Sequence, residues 1–157
     1  MNPYSKKQQV GRKPKKHATL DKWFSRFIRL RDSDENGVFQ CISCGKYKNF
    51  DKMDAGHFIN RRKMSVRWSE SNVNGQCSHC NRFNEGQQAQ YERGVNKKYG
   101  FTLGILWADL MRIKAETHRS YDDEEIKTLQ DHYRKETRRL FDLKSGEFQA
   151  SHEYLVK

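Results

Sequence analysis

Two Cys-x-x-Cys pairs, Cys41-Ile42-Ser43-Cys44 and Cys77-Ser78-His79-Cys80, hold all four cysteines of the chain. Zinc takes four ligands in a tetrahedron and binds thiolates well, and each such pair delivers two sulfurs to one ion. The spacing therefore predicts a structural zinc site built from Cys41, Cys44, Cys77 and Cys80. Residues 45–76 between the pairs form a longer insert than the simplest zinc ribbons carry. They leave room for a hairpin and a loop between a zinc knuckle and a helix start, the layout of a treble clef. His79 lies between two ligands and fits an exposed polar position better than a fifth ligand position. Met1 to Lys16 contains no apolar run that would serve as a signal peptide or membrane span. A metal is then a better use of the cysteines than disulfides, and a cytoplasmic protein is expected.

The insert holds Asp54-Ala55-Gly56-His57 and then Asn72-Val73-Asn74-Gly75-Gln76-Cys77, with Cys80-Asn81 closing the series. The order His57, Asn72, Asn81, interleaved with the cysteine pairs, resembles the HNH or His-Me finger nucleases in the variant whose third position is Asn. More closely, the run from Asp54 through Phe58, Asn72 to Cys77, Cys80-Asn81 and Tyr91 is similar to the NinG, or Rap, recombination proteins of lambdoid phages. The detailed match covers residues 38–100, and Thr19 to Arg31 is compatible with it.

Phosphodiester hydrolysis needs a deprotonated water in line with the leaving oxygen and a cation on the phosphoryl oxygens. A neutral imidazole takes a proton near pH 7, and oxygen ligands suit magnesium or manganese. The resemblance implies His57 as general base, Asp54 and Asn81 as ligands of a catalytic Mg2+ or Mn2+, and Asn72 as a brace that orients His57 through backbone hydrogen bonds. The zinc would be structural. One departure stands out. In most HNH nucleases a metal ligand immediately precedes the base, but Gly56 occupies that place here. A bulge at Ala55-Gly56 would bring Asp54 round; otherwise Asp51 or Glu85 would supply the carboxylate.

Arg61, Arg62, Lys63 and Arg67 lie between base and brace, where a DNA backbone would pass, and are read as phosphate contacts. Lys97 and Lys98 are weaker candidates. The net charge of +11 supports a polyanionic partner. No base-reading helix is evident, so recognition by shape and backbone is expected. The resemblance implies cleavage of branched DNA such as Holliday junctions and D-loops. A junction has two symmetric strands to cut, which suits a homodimer. The rival class is a non-catalytic zinc module that binds DNA or a recombination partner. A sequence-specific HNH nuclease of the homing or restriction type is a third reading.

The elements that must position these residues follow from patterning. Only 34% of the 157 residues are hydrophobic, and mean hydropathy is -1.10, so the core is small and a metal helps to hold it. Residues 1–18 carry Lys6, Lys7, Arg12, Lys13, Lys15 and Lys16 without an acid and read as a basic flexible arm. Thr19 would cap a helix to Arg31 with an apolar stripe of Leu20, Trp23, Phe24, Phe27, Ile28 and Leu30. Val38 to Gln40 reads as a strand, Phe50 to Ile59 as a second, and Val66 to Trp68 as a short return strand. Cys77 opens a helix running, with a break at Gly86, towards Tyr99. Leu103, Leu106, Leu110 and Ile113 mark one further helix, and Ile126, Leu129, Tyr133, Leu140 and Phe141 a longer one over 122–143. The expected class is α+β: a zinc-stabilised treble-clef (ββα-metal, HNH-like) core over 19–100 with an N-terminal helix, accessory helices over 101–144 that pack on the core or a dimer partner, and a tail over 145–157.

Overall fold

The computed structural model describes residues 17–83 and 87–157. The basic arm, apart from His17 and Ala18, lies outside the described residues, as do Glu85 and Gly86. Helix α1 (Ala18–Arg31) is followed by an antiparallel pair, β1 (Val38–Gln40) with β2 (Tyr47–Asn49). A second antiparallel pair joins β3 (Met53–His57) to β4 (Val73–Cys77), and a long loop carrying the four-residue helix α2 (Met64–Arg67) connects them. Then come α3 (Ser78–Arg82), α4 (Gln88–Tyr99), α5 (Phe101–Glu116), α6 (Asp123–Asp142) and α7 (Gly146–His152). The class is mixed helix with small sheets. Among the described residues no helix is long and apolar enough to cross a membrane.

Helix α1 forms the spine because its six large apolar residues recur at helical spacing, and all six are buried. Its start is one residue earlier than Thr19, with no side-chain cap. Helix α6 lies along α1: the Tyr133 ring meets Phe24 edge-on at 4.9 Å and Phe27 at 5.1 Å. A capping box fixes the start of α6, with Asp122 accepting from the Glu125 amide at 2.8 Å and the Asp122 amide donating to Glu125 at 3.0 Å. One carbonyl in the last turn of α1, Leu30, and two in the turn that follows are satisfied from far along the chain. Lys144 Nζ donates to the Leu30, Ser33 and Asp34 carbonyls at 2.9, 2.6 and 2.8 Å, which serves the C-terminal dipole as well as the orphan acceptors.

Several expectations are corrected. The strand over Phe50 to Ile59 is shorter, because Phe50–Lys52 forms a 3-10 turn before β3. Val66 to Trp68 is not a strand: Met64–Arg67 is helical, and β4 supplies the return. Residues 145–157 are not a loose tail. Ser145 caps α7 through the Phe148 amide, and Phe148 and Leu155 pack with Leu30, Phe50 and Phe141. The register of β3 with β4 is unbroken from Met53↔Cys77 to His57↔Val73, so no bulge occurs at Ala55-Gly56.

Helix α5 forms where the Leu and Ile spacing places it, but with another face inward. Gly104, Ala108, Met111 and Ala115 are its buried residues. It packs on α4 so closely that Gly104 lies against Asn96, and small side chains allow that approach where leucines would hold the helices apart.

Candidate functional site

The hairpin β1–β2 turns at Cys41 to Lys46, where Gly45 at φ 69° takes a conformation that other residues adopt at a cost. The Cys41 amide donates to the Lys46 carbonyl at 3.0 Å and the Gly45 amide to the Cys41 carbonyl at 2.9 Å, forming a tight knuckle. Cys77 ends β4 and Cys80 lies on the first turn of α3. The four cysteine sulfurs all lie within 4.8 Å of one another. With Zn–S bonds of about 2.3 Å, a tetrahedron needs sulfur separations of this order, so the set fits one zinc ion. Cys41, Cys77 and Cys80 are buried and Cys44 is exposed. The Cys77 amide also donates to Cys41 Sγ at 3.2 Å. Burial pushes the Cys41 and Cys80 thiols up, so the crowded sulfurs favour a proton or a cation. His79 is exposed and outside the cluster.

The β3–β4 hairpin grows directly from this cluster, since Met53 pairs with Cys77. His57 ends β3 and faces α1 with Ala55, across a cleft of about 840 Å³ that Asp21, Ser25, Arg61, Asn81 and Gln88 also line. His57 Nε2 donates to the Arg67 carbonyl at 2.9 Å. That bond places the ring proton on Nε2 and leaves Nδ1 as the acceptor, a tautomer assigned from the hydrogen bond. Burial lowers the His57 pKa from its ordinary 6.5, and the charge of Arg61 adds to this, together outweighing the Arg67 and Ala55 backbone and the Asp21 carboxylate, which favour the charged ring. The ring is thereby held towards its neutral form.

Asn72 is fully buried, and its side chain is bonded to backbone throughout. Nδ2 donates to the Ile59 carbonyl at 2.9 Å and the Val66 carbonyl at 3.0 Å, while Oδ1 accepts from the Ile59 amide at 2.9 Å. It therefore ties together both ends of the loop whose Arg67 carbonyl holds His57.

Asp54 lies on the opposite side of β3 from His57, by strand alternation. Its carboxylate accepts from Asn81 Nδ2 at 3.0 Å, from Ser78 Oγ at 3.3 Å and from Arg82 Nε at 3.3 Å. Asn81 is the link, bonded to Asp54 and lining the same cleft as His57. Asp51 is elsewhere, 3.3 Å from His152. A Cβ at Gly56 would overlap the Gln76 side chain. The position before His57 is thus closed to any carboxylate, which accounts for the departure seen in the sequence.

The four basic residues of the loop separate. Arg61 lines the cleft, Arg62 is exposed, and Lys63 makes a solvated ion pair with Glu116 at 3.3 Å. Arg67 sets its guanidinium fork on Asp21, itself a cleft-lining residue, at 2.6 and 3.0 Å. Asp21 also accepts from Trp68 Nε1 at 3.0 Å. Burial pushes the Asp21 carboxyl up, but the bonds from Arg67 and Trp68 outweigh it and hold the carboxyl below its usual range. Lys98 donates to Asn74 at 3.1 Å, and Lys97 lies with it beside a second hollow near Cys41 and Gly75, away from His57.

Sequence reasoning did not single out Asp21, Ser25 or Gln88. Gln88 donates to the Phe58 carbonyl, next to His57. Tyr91, quoted only as part of a motif, is fully buried with its hydroxyl donating to the Gly56 carbonyl at 2.8 Å and accepting from Asn74 at 3.0 Å. The signal for Tyr91 and Gln88 was their helical spacing of three, which places both on one face of α4.

The family model described as bacteriophage lambda NinG protein matches residues 3–142. A curated relative, Protein ninG of Salmonella phage P22, is 30% identical over 120 residues, covering 76% of this chain. The chain spans about half the length of that relative, 54%. No solved structure matches. The matched span takes in the cysteine cluster, the His57 cleft and the α1–α6 spine, and the chain belongs to the NinG family of lambdoid phage proteins.

Proposed function

We propose that this protein is a metal-dependent endonuclease of phage recombination that hydrolyses phosphodiester bonds in branched DNA within the host cytoplasm. The observation that carries the reading is the shared cleft. His57, with Nδ1 available as a proton acceptor, and Asn81, bonded to Asp54, line one hollow beside Arg61. The knuckle, the β3–β4 hairpin and α3 read together as a treble clef whose zinc, held by Cys41, Cys44, Cys77 and Cys80, fixes His57 relative to Asn81.

A Mg2+ or Mn2+ ion would be held by Asp54 and Asn81, whose oxygens are the hard donors such ions prefer. Asp54 lies on the other side of β3 and does not line the cleft, so Asn81, bonded to it, is the residue that would join the ion to the cleft. Rotating the Asn81 amide presents its oxygen, and the Arg82 contact at 3.3 Å to a largely exposed guanidinium is easily exchanged. Bound there, the ion would stabilise charge on the phosphoryl and leaving oxygens. The chain's own part is proton transfer and positioning. A water oxygen bonds to phosphorus while the bond to the leaving oxygen breaks, and the water's proton passes to His57 Nδ1. The Arg67 carbonyl keeps the ring aimed, Asn72 keeps that carbonyl in place, and Arg61 contacts phosphate.

A second reading has an observation in its favour. The Asp54 carboxylate already accepts three hydrogen bonds, as it would in a non-catalytic zinc module that binds DNA or a recombination partner. Cleavage assays on labelled duplex, single-strand and four-way-junction DNA with magnesium or manganese separate the two. The parent should cut the junction. His57→Ala should keep its zinc and DNA affinity but lose roughly 100- to 10,000-fold in rate. A parent protein that binds all three substrates and cuts none would establish the binding-module reading instead.

A further inference from the structure

Helix α5 carries two apolar faces. The inner one, Gly104, Ala108, Met111 and Ala115, is buried. The outer one is not: Leu103, Leu106, Leu110 and Ile113 are 62%, 53%, 60% and 66% exposed. Side chains this apolar are ordinarily covered when they recur at intervals of three and four along one helix face. At a rise of 1.5 Å per residue the stripe runs for about 15 Å. It presents on the order of 400 Å² of apolar surface, within the range of the largest patches on single chains and about half of what each partner gives a standard interface.

We propose that this stripe is the contact through which two copies of the chain form a two-fold dimer, with their α5 helices packed antiparallel. The spacing is palindromic: three residues from Leu103 to Leu106, four to Leu110, three to Ile113. A two-fold axis between Leu106 and Leu110 therefore sets Leu103 against the partner copy's Ile113 and Leu106 against its Leu110, so the surface complements itself.

The other occupants fit less well. Residues 1–16 of this chain hold only Met1, Tyr4 and Val10 as large apolar side chains among six Lys and Arg residues, too few to cover the stripe. A nucleic acid needs uncompensated cations, but each charged residue of α5 is already engaged within the chain. Asp109 and Arg112 pair at 3.1 Å and Arg112 also meets Glu92 at 2.7 Å. Lys114 donates to Ser69 at 3.3 Å and Glu116 pairs with Lys63 at 3.3 Å. Asp109, Arg112 and Glu116 are thus paired within the chain, and Lys114, on a neutral hydroxyl, is the one charge of α5 without an ion pair among the described residues, so little repulsion opposes a self-contact along this face.

The dimer goes beyond the nuclease reading and stands without it. If both hold, it supplies one cleft for each of the two equivalent strands of a junction.

Sedimentation equilibrium of the zinc-loaded 157-residue chain without DNA tests the proposal. The parent should be dimeric at tens of micromolar. Leu110→Asp should raise the dissociation constant roughly 100-fold or more, because the change meets an apolar partner twice in each interface. It should leave zinc content and melting temperature near parental values, since Leu110 is exposed in the single chain. Leu143→Asp, at an equally exposed leucine outside α5, should stay dimeric. If Leu110→Asp proves poorly folded, Leu106→Lys provides the same reading from the other half of the stripe. A parent that remains monomeric at these concentrations, or folded stripe variants that still dimerise like the parent, would overturn the proposal.

Discussion

Asn72→Ala is the substitution whose cost the geometry predicts most directly. The side chain makes three hydrogen bonds of 2.9, 3.0 and 2.9 Å, all to the backbone of the loop between β3 and β4. Alanine removes the donors to the Ile59 and Val66 carbonyls and the acceptor for the Ile59 amide. A hydrogen bond contributes about 1 kcal/mol net, and a stranded buried partner costs about 1–3 kcal/mol. The Val66 carbonyl is the buried one, while the Ile59 groups lie where water can reach in part. The expected loss is therefore about 3–4 kcal/mol, a large fraction of the ~5–15 kcal/mol available to a domain. Urea denaturation of the zinc-loaded protein measures it, and hydrogen exchange at the Ile59 amide localises it. Because the Arg67 carbonyl that holds His57 lies inside the braced loop, cleavage should fall by more than DNA affinity does. A loss under about 1 kcal/mol with the Ile59 amide still protected would refute the brace.

Three further outcomes are expected. Cys41→Ser or Cys80→Ser, or a strong chelator acting on the parent, should abolish cooperative unfolding and release one zinc per chain, read by elemental analysis and circular dichroism. The His57 pKa lies below 6.5 in the fold, so the cleavage rate should rise with pH through a midpoint below that value and level off by neutrality. In the same window the folded chain binds fewer protons than the unfolded one, so stability should fall as pH drops from 6.5. The fall should be smaller in His57→Gln, and identical pH profiles for the two proteins would contradict it. Arg67→Ala should cost about 1–3 kcal/mol by taking two of its three hydrogen bonds from Asp21 and leave DNA affinity near parental, whereas Arg61→Ala should lower affinity and its salt dependence. A filter-binding titration at several ionic strengths distinguishes the two.

What was legible in the sequence was what local spacing determines. The cysteine pairs, the apolar period of α1 and α6 and the order His57, Asn72, Asn81 all declare themselves within a few residues. What was not legible depends on partners far along the chain. Nothing near Arg67 indicates that its guanidinium is held by Asp21, 46 positions away. Phe148 and Leu155 stand as isolated apolar positions in a polar stretch, and their burial comes from Leu30, Phe50 and Phe141. In α5 the periodicity gave the helix, but the larger side chains pointed the wrong way. Close contact with α4 selected the small residues for the inner face, a choice made by interhelical distance and not by hydrophobicity.

Strand β4 is the clearest case. Asn72, Asn74 and Gln76 alternate with Val73, Gly75 and Cys77, a pattern that by itself reads as a half-exposed strand with its polar face in water. Every one of these residues is buried. A polar group enters a core only with a partner, and the amides each reach a different neighbour. Asn72 bonds the loop at Ile59 and Val66, Asn74 bonds Tyr91 on α4, and Gln76 donates to Ser43 in the cysteine knuckle at 2.7 Å. Apolar side chains of equal volume would fill the same space without fixing which atoms face one another. The row of amides instead specifies the position of the loop, α4 and the knuckle relative to one strand. Those three bodies respectively hold the His57 ring, the backbone beside it and the cysteine cluster, so the polar interior of β4 is what gives the cleft a single geometry.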